Sequence, residues 1–140
     1  MEIPIVWIID DDMICRFASN YKFEQSLKNY EVIGHSSAFE GLTSLAECLH
    51  GTKKLPDIIL LDLHMPGMDG WSFLKELEKM GAPVKNIHVY ILSSFTNSRD
   101  FNLAKKHPLI KGFFNKPLSE ANVRHMFSGI EVETLPETLS

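Results

Sequence analysis

Five apolar runs of strand length alternate with helical patterns along the chain, and this alternation constrains the fold more than any other feature. The apolar runs lie at residues 3–9, 31–34, 58–63, 87–92 and 112–114. The segments that follow them, at about 12–28, 38–50, 70–80, 98–107 and 119–128, have spacing or boundary residues typical of helices. Repeated strand and helix units favour a parallel sheet with helices on both faces. We therefore predict an α/β fold, a doubly wound (βα)5 domain with a five-stranded parallel sheet.

Two of the helical segments carry apolar residues at positions i, i+3, i+4 and i+7, a spacing that predicts one buried face. These residues are Ile14, Phe17, Ala18 and Tyr21 in the first helix and Val123, Met126, Phe127 and Ile130 in the last. Segment 98–107 has few apolar positions, and we expect it to be the most mobile element. Residues 131–140 lack periodicity, and we expect residues 1–128 to form one domain and residues 129–140 to be a short, flexible acidic tail.

Composition and charge narrow the range of functions. With 140 residues, 44% of them hydrophobic, the chain is long enough for one domain with an ordinary core. The net charge of -4 and the lack of long Lys/Arg runs argue against binding to nucleic acid or to a membrane. No apolar run approaches the roughly 20 residues of a membrane span. We expect a cytoplasmic protein in which Cys15 and Cys48 are buried and reduced.

Charged and hydroxyl side chains follow four of the predicted strands, at the points where the strands end. The acidic residues 10–12 follow the first strand, Asp62 the third, Ser93 the fourth and Lys116 the fifth. Because the carboxyl ends of parallel strands meet at one edge of a sheet, we expect these side chains to lie together. Clustered carboxylates repel one another unless a cation neutralises them, and hard oxygen ligands without imidazole or thiolate favour Mg²⁺.

The same residues suit phosphoryl transfer. With Mg²⁺ between Asp11 and Asp62, an incoming phosphoryl group would meet the metal, the Lys116 ammonium group and the Ser93 hydroxyl. Asp62 is ionised at neutral pH and can act as a nucleophile without a general base, which yields an aspartyl phosphate. Asp12 is a further candidate ligand, but it is favoured as the cap of the first helix.

Taken together, these residues resemble the motifs of a response-regulator receiver domain across about residues 3–128. The resemblance rests on Ile-Ile-Asp-Asp-Asp at 8–12, the segment 62–70, Ser93 and Phe-Asn-Lys-Pro at 114–117. It implies the flavodoxin-like strand order 2-1-3-4-5, Asp62 as phosphoacceptor and a cis bond between Lys116 and Pro117. It also implies four Mg²⁺ ligands, namely Asp10, Asp11, Asp62 and the His64 backbone carbonyl. Ser93 and Phe113 are implied as switch residues, and Lys116 as the phosphate-binding lysine.

By the same resemblance, the chain is a stand-alone receiver of a two-component phosphorelay. It would take its phosphoryl group from a histidine kinase or a histidine phosphotransfer protein, and would catalyse only its own phosphorylation and dephosphorylation. Phosphorylation is expected to reshape the face formed by residues 98–107, Lys111 and residues 119–128. That face would bind a downstream protein which the sequence does not identify, and we expect the chain to be a monomer or a weak dimer.

Two residues, His64 and Phe95, are implied by the resemblance to overhang the phosphoryl group, because they lie two positions after Asp62 and Ser93. Phe95 would exclude water by its bulk, whereas His64 would either position water or cover the site. The sequence indicates no partner that fixes the His64 ring. We therefore favour the apolar shield and expect a long-lived phosphoryl group.

Two other functions are kept as alternatives. A metal-dependent phosphohydrolase would use Asp10 as nucleophile and Asp12 as acid, as in haloacid-dehalogenase-like enzymes. Such enzymes need a further acidic pair on a later strand, whereas the later strands here end in Ser93 and Lys116. A pseudo-receiver would serve only as an interaction module, and the intact acidic set argues against it.

Overall fold

In the computed structural model, which describes residues 3–94 and 98–128, all five apolar runs form β-strands. The strands are β1 (Ile5–Ile9), β2 (Glu31–His35), β3 (Ile58–Leu61), β4 (His88–Ser93) and β5 (Ile110–Asn115). Every neighbouring pair is parallel, and the order across the sheet is β2-β1-β3-β4-β5. The predicted α/β fold and strand order are confirmed.

A helix follows each strand, and side-chain caps determine where most of these helices begin. The helices are α1 (Met13–Ser26), α2 (Ala38–Leu49), α3 (Gly70–Lys79), α4 (Ser98–Lys106) and α5 (Glu120–Met126), with a short 3-10 helix at Ala82–Val84 that the sequence pattern did not predict. Side-chain oxygens of Asp12, Ser37, Asp69 and Ser119 accept backbone N–H groups at the starts of α1, α2, α3 and α5. These caps satisfy amide groups that have no partner within the helix.

The sheet is buried on both faces, because successive side chains of a strand point to opposite sides. Along β1, Trp7 and Ile9 pack in one core with Phe73 of α3. Val6 and Ile8 pack in the other core, which also takes side chains from α1 and α5. Every residue of β1 and β3 is buried. The central strands therefore form a rigid support for the residues that follow them.

The predicted buried face of α1 is wrong. Ile14 and Phe17 are 74% and 75% exposed, and Tyr21 is 52% exposed. Ala18 is exposed as well. An apolar stripe identifies one face of a helix, but it does not show whether the rest of the domain covers that face.

The buried face of α1 combines two serines with one phenylalanine, a set that the i, i+3, i+4, i+7 apolar spacing does not identify. Its buried residues are Ser19, Phe23 and Ser26. The Phe23 ring meets the Phe127 ring edge-on, with 6.2 Å between centroids. Because serine is small, the helix can lie close to the sheet while Phe23 supplies the apolar contact.

The prediction for the last helix is confirmed where the structure describes it. Val123, Met126 and Phe127 are buried. Ile130 and the predicted tail at 129–140 lie outside the described residues. Segment 98–107 forms α4, and its mobility stays a prediction.

The sequence also predicts reduced cysteines and no apolar run long enough to span a membrane. Both are free thiols, and Cys48 is buried as predicted. The predicted burial of Cys15 is wrong, because this residue of α1 is partly exposed. Across residues 3–94 and 98–128, no helix has the length and apolar character needed to cross a membrane.

Candidate functional site

The charged residues that follow the strands meet at the carboxyl edge of the sheet. Since β1 and β3 are paired up to their last residues, Asp10 and Asp62 follow side by side. The Asp62 N–H still donates to the Ile9 carbonyl at 2.9 Å, and the Lys116 N–H donates to the Ser93 carbonyl at 3.1 Å. Backbone hydrogen bonds therefore position the site residues as firmly as the strands themselves.

The Asp62 side chain is only 6% exposed and accepts hydrogen bonds from three groups. Ser93 Oγ donates to Oδ1 at 3.1 Å, and the His64 backbone N–H donates to the same oxygen at 3.3 Å. Lys116 Nζ donates to Oδ2 at 3.3 Å. Donors from three different segments thus fix the direction of this carboxylate.

Lys116 balances the charge of the buried acids. Its Nζ lies 2.9 Å from Asp10 Oδ2 and 3.3 Å from Asp62 Oδ2. Burial alone would lower the pKa of Lys116, but the hydrogen bond to Asp10 and the charges of Asp62 and Asp10 outweigh burial and raise that pKa. The lysine is therefore cationic throughout the physiological pH range.

The Asp62 carboxylate carries an unfavourable charge in this setting. Burial raises the pKa of Asp62, and the neighbouring charge of Asp10 raises it further. Lys116 and the hydrogen bonds from His64 and Ser93 act in the opposite direction without cancelling the rise. A second cation, or the chemical removal of one negative charge, would relieve this repulsion.

The acidic cluster fits a magnesium ion. Asp10, Asp11 and Asp62 each present a carboxylate oxygen, and these oxygens lie within 4.8 Å of one another. Asp10 and Asp62 are buried whereas Asp11 is exposed, so the cluster is open on one side. Mg²⁺ prefers hard oxygen ligands and keeps several waters when it binds to proteins, which matches a cluster of this shape.

The turn between β3 and α3 depends on a glycine that lies against the Asp62 backbone. A Cβ atom at position 70 would lie 2.6 Å from the Asp62 carbonyl oxygen and 2.9 Å from Leu63 Cα. The Gly70 N–H donates to the Leu63 carbonyl at 2.9 Å, and the Asp69 side chain accepts the Ser72 N–H at 2.8 Å. Asp69 and Gly70 therefore shape the turn and the start of α3.

Asp12 acts as the cap of α1. Its Oδ1 accepts the backbone N–H groups of Ile14 at 2.8 Å and of Cys15 at 3.4 Å. The hydrogen bond from Ile14 is the main reason that the pKa of Asp12 lies below its usual value. These hydrogen bonds assign the Asp12 carboxylate to the helix cap, as predicted, so its geometry gives no support to the phosphohydrolase alternative.

The two residues assigned to the switch lie on neighbouring strands. Ser93 is fully buried and contacts Asp62. Phe113 is half-buried, and its ring meets the Phe101 ring of α4 edge-on at 5.0 Å. The predicted cis bond between Lys116 and Pro117 is confirmed. Phe95, the second site-covering residue, lies outside the described residues.

Two contacts at the site were missed by sequence reasoning. The His64 ring does have a partner, because its Nε2 lies 3.0 Å from Asp100 Oδ2. Arg16 of α1 donates from its guanidinium group to the Asp10 backbone carbonyl at 2.6 Å. Neither pair has a recognisable spacing along the chain, since each depends on how a helix packs beside the strand ends.

Known proteins of similar sequence include transcription regulators. Over 79 residues the chain is 34% identical to the DNA-binding transcriptional regulator NtrC of Escherichia coli K12, a stretch equal to 56% of this chain and 15% of NtrC. Over 81 residues it is 32% identical to the regulator BvgA of Bordetella pertussis, equal to 57% of this chain and 35% of BvgA. The chain thus matches well under two thirds of the length of these relatives.

Solved structures with the same fold cover nearly the whole chain. A two component response regulator from Cytophaga hutchinsonii superposes with a TM-score of 0.83 and 26% identity, covering 92% of this chain and 97% of that one. The chemotaxis response regulator CheY4 of Vibrio cholerae superposes with a TM-score of 0.72 and 21% identity, covering 93% and 100%. Because the identity to CheY4 is only 21%, this similarity is evidence for the fold alone.

Fold and site together define a receiver-type α/β domain with an acidic carboxyl edge. The family model of the response regulator receiver domain matches residues 6–128. The chain therefore belongs to the response regulator receiver family, in which phosphorylation on aspartate and magnesium binding are characteristic.

Proposed function

We propose that this chain accepts a phosphoryl group on Asp62 from a histidine kinase or a histidine phosphotransfer protein. The observation that carries this proposal is the buried Asp62 carboxylate, held at the strand edge by Ser93, the His64 N–H and Lys116. A carboxylate is already ionised, so it can attack phosphorus without a general base. In this proposal residues 1–128 form the receiver domain.

The reaction exchanges one bond to phosphorus for another. An Asp62 carboxylate oxygen bonds to phosphorus, while the bond from phosphorus to the donor's histidine nitrogen breaks and its electron pair stays on that nitrogen. Lys116 Nζ and Ser93 Oγ already lie 3.3 Å and 3.1 Å from the acceptor oxygens. Both groups can therefore stabilise the charge on the transferred phosphoryl oxygens. The chain would catalyse this step and the later hydrolysis only on itself.

In this proposal Asp10, Asp11, Asp62 and the His64 backbone carbonyl hold Mg²⁺. The bound ion supplies positive charge that neutralises the acids and the phosphoryl oxygens. The carboxylate cluster within 4.8 Å supports the assignment. Arg16 assists by holding the Asp10 backbone in place at 2.6 Å.

Phosphoryl uptake from acetyl phosphate tests the acceptor and the metal together. With Mg²⁺ we expect the intact mass to rise by one phosphoryl group that maps to Asp62, and with a chelator we expect no uptake, because the acids then repel the incoming anion. Label on Asp10, or repeated turnover of a simple phosphate ester, would instead favour the phosphohydrolase. No uptake under either condition would favour the pseudo-receiver.

The donor protein is proposed to dock on the exposed apolar face of α1. This helix begins at the Asp12 cap, directly after the acidic residues, so its first turns border the site. Contiguous apolar surface of this kind is typical of protein-binding faces. The face consists of four side chains that are 52% to 75% exposed: Met13, Ile14, Phe17 and Tyr21.

Replacing one residue of this face distinguishes docking of the donor protein from the phosphoryl-transfer step itself. We expect Phe17→Glu to slow transfer from a histidine-phosphorylated donor protein by about tenfold or more, since it buries a charge in an apolar contact. Uptake from acetyl phosphate should not change, because Phe17 is 75% exposed and its apolar side chain offers no group to the phosphoryl chemistry. Leu49→Glu, an exposed apolar position on α2, is the matched control. Equal slowing with both donors would contradict the docking surface.

The output surface is proposed to be the face formed by residues 98–107, Lys111 and residues 119–128. Ser93 would move toward the phosphoryl oxygens, and Phe113 would then turn inward and leave its contact with Phe101. That contact, at 5.0 Å between ring centroids, joins β5 to α4. It supports a coupling between the site and this face. Shielding by Phe95 stays a prediction.

A further inference from the structure

We propose that Asp100 of α4 is a positioning residue, which fixes the imidazole ring of His64 and thereby sets how fast the phosphoryl group on Asp62 is hydrolysed. This inference rests on the proposed function, because it takes Asp62 as the phosphoryl acceptor. It assigns a role to an acid that lies 38 residues after Asp62 in the chain. No motif at the strand ends includes this residue.

The Asp100 carboxylate is held between two donors from the opposite side of a cleft. His64 Nε2 lies 3.0 Å from its Oδ2, and Trp71 Nε1 of α3 donates to its Oδ1 at 3.2 Å. The Asp100 side chain is 11% exposed, whereas the His64 side chain is 56% exposed. A buried carboxylate with a fixed direction therefore anchors a ring that would otherwise rotate freely in solvent.

The anchored ring lies on the rim of the proposed reaction centre. His64 is two residues after Asp62, and its backbone N–H donates to Asp62 Oδ1 at 3.3 Å. One end of His64 is therefore tied to the acceptor oxygen, and the other end is tied to α4. The ring lines an open cleft of about 710 Å³ between α3 and α4, together with Trp71 and Asp100. Through His64 and Asp69, this cleft adjoins the turn that follows Asp62.

The position of the ring matters for hydrolysis. In that step a water oxygen bonds to phosphorus, the bond from phosphorus to the Asp62 oxygen breaks, and inorganic phosphate and a proton leave while the carboxylate is restored. The water must approach opposite the Asp62 oxygen. In this proposal a ring held toward α4 screens the acceptor from water in the cleft that the ring lines. Without Asp100 the ring is free to turn away, and this screen is lost.

The test is the rate of phosphoryl loss in Asp100→Asn. The asparagine keeps an oxygen for the Trp71 N–H, but it replaces the carboxylate acceptor of His64 Nε2–H by an amide N–H, which can pair with that nitrogen only in the other imidazole tautomer. The substitution therefore removes the charge-assisted hydrogen bond to the ring with little change in shape. We expect loss of the phosphoryl group to become about two- to tenfold faster, the range for removing one hydrogen bond. His64→Ala should act in the same direction. In a His64→Ala background, Asp100→Asn should have no further effect, because its action runs through the ring.

Glu78→Gln is the matched control. His107 Nε2 lies 3.3 Å from Glu78 Oε1 across the same cleft, but this pair does not involve His64. Glu78→Gln should leave the rate unchanged. Additive effects of the His64 and Asp100 substitutions, an unchanged rate in Asp100→Asn, or an equal change in Glu78→Gln would each overturn the role of Asp100. A wild-type protein that takes up no phosphoryl group would instead overturn the proposed function, and this inference with it.

Discussion

Asp62→Asn is expected to abolish phosphoryl uptake and, in the same protein, to raise the free energy of unfolding. The amide lacks the ionised oxygen that attacks phosphorus, so intact-mass spectra after incubation with acetyl phosphate and Mg²⁺ should show no added group. The amide also removes one of two buried charges that repel each other, because burial and Asp10 together raise the pKa of Asp62. In metal-free buffer we expect a gain in stability, because a neutral amide avoids the burial and the repulsion from Asp10 that disfavour the charged carboxylate.

Asp57→Asn is the matched control for this prediction. Asp57 precedes β3, whereas Asp62 follows it, and Asp57 Oδ2 accepts the Ile5 N–H at 2.8 Å. Its replacement should leave phosphoryl uptake intact and should not stabilise the protein. Uptake by Asp62→Asn at the wild-type rate would contradict the acceptor assignment. A loss of stability would show that the hydrogen bonds to Asp62 outweigh its repulsion with Asp10.

The strand ends could be predicted from sequence because two local rules suffice for them. Apolar runs of strand length located β1 and β3, and parallel pairing placed Asp10 next to Asp62 without any knowledge of side-chain packing. Ser93 and Lys116, which donate to Asp62, were located in the same way, because they lie at the ends of β4 and β5. The cluster is therefore a consequence of topology.

Contacts that depend on helix packing could not be predicted in this way. The apolar stripe of α1 was assigned to the core, although the helix packs inward through Ser19, Phe23 and Ser26. Serine gives no hydrophobic signal, so the inward face is invisible to spacing rules. The pairing of His64 with Asp100 likewise needs α4 to lie beside the turn after β3. Such contacts are set by three-dimensional packing.

Lys116→Met is expected to lower the free energy of unfolding by about 3 kcal/mol in metal-free buffer, the cost of breaking a buried ion pair by removing one partner. Methionine keeps most of the length of the side chain but leaves Asp10 and Asp62 as buried acids without the nearby ammonium group. The three side chains are 20%, 4% and 6% exposed, so water compensates little. Urea denaturation followed by circular dichroism measures the change. Addition of Mg²⁺ should restore part of the loss, because a bound cation again neutralises the acids.

Lys79→Met is the matched control, because it removes an exposed lysine from an ion pair, whereas Lys116→Met removes a largely buried one. Lys79 Nζ lies 3.0 Å from Glu76 Oε1, a distance similar to those at Lys116, but the lysine side chain is 65% exposed. Its replacement should cost about 0.5 kcal/mol or less and should not respond to Mg²⁺. In an Asp62→Asn background, Lys116→Met should cost less than in the wild type, since one acid remains instead of two. Equal costs for the two lysines would mean that Lys116 does not balance the acidic cluster, and the charge argument for Asp62 would then fail as well.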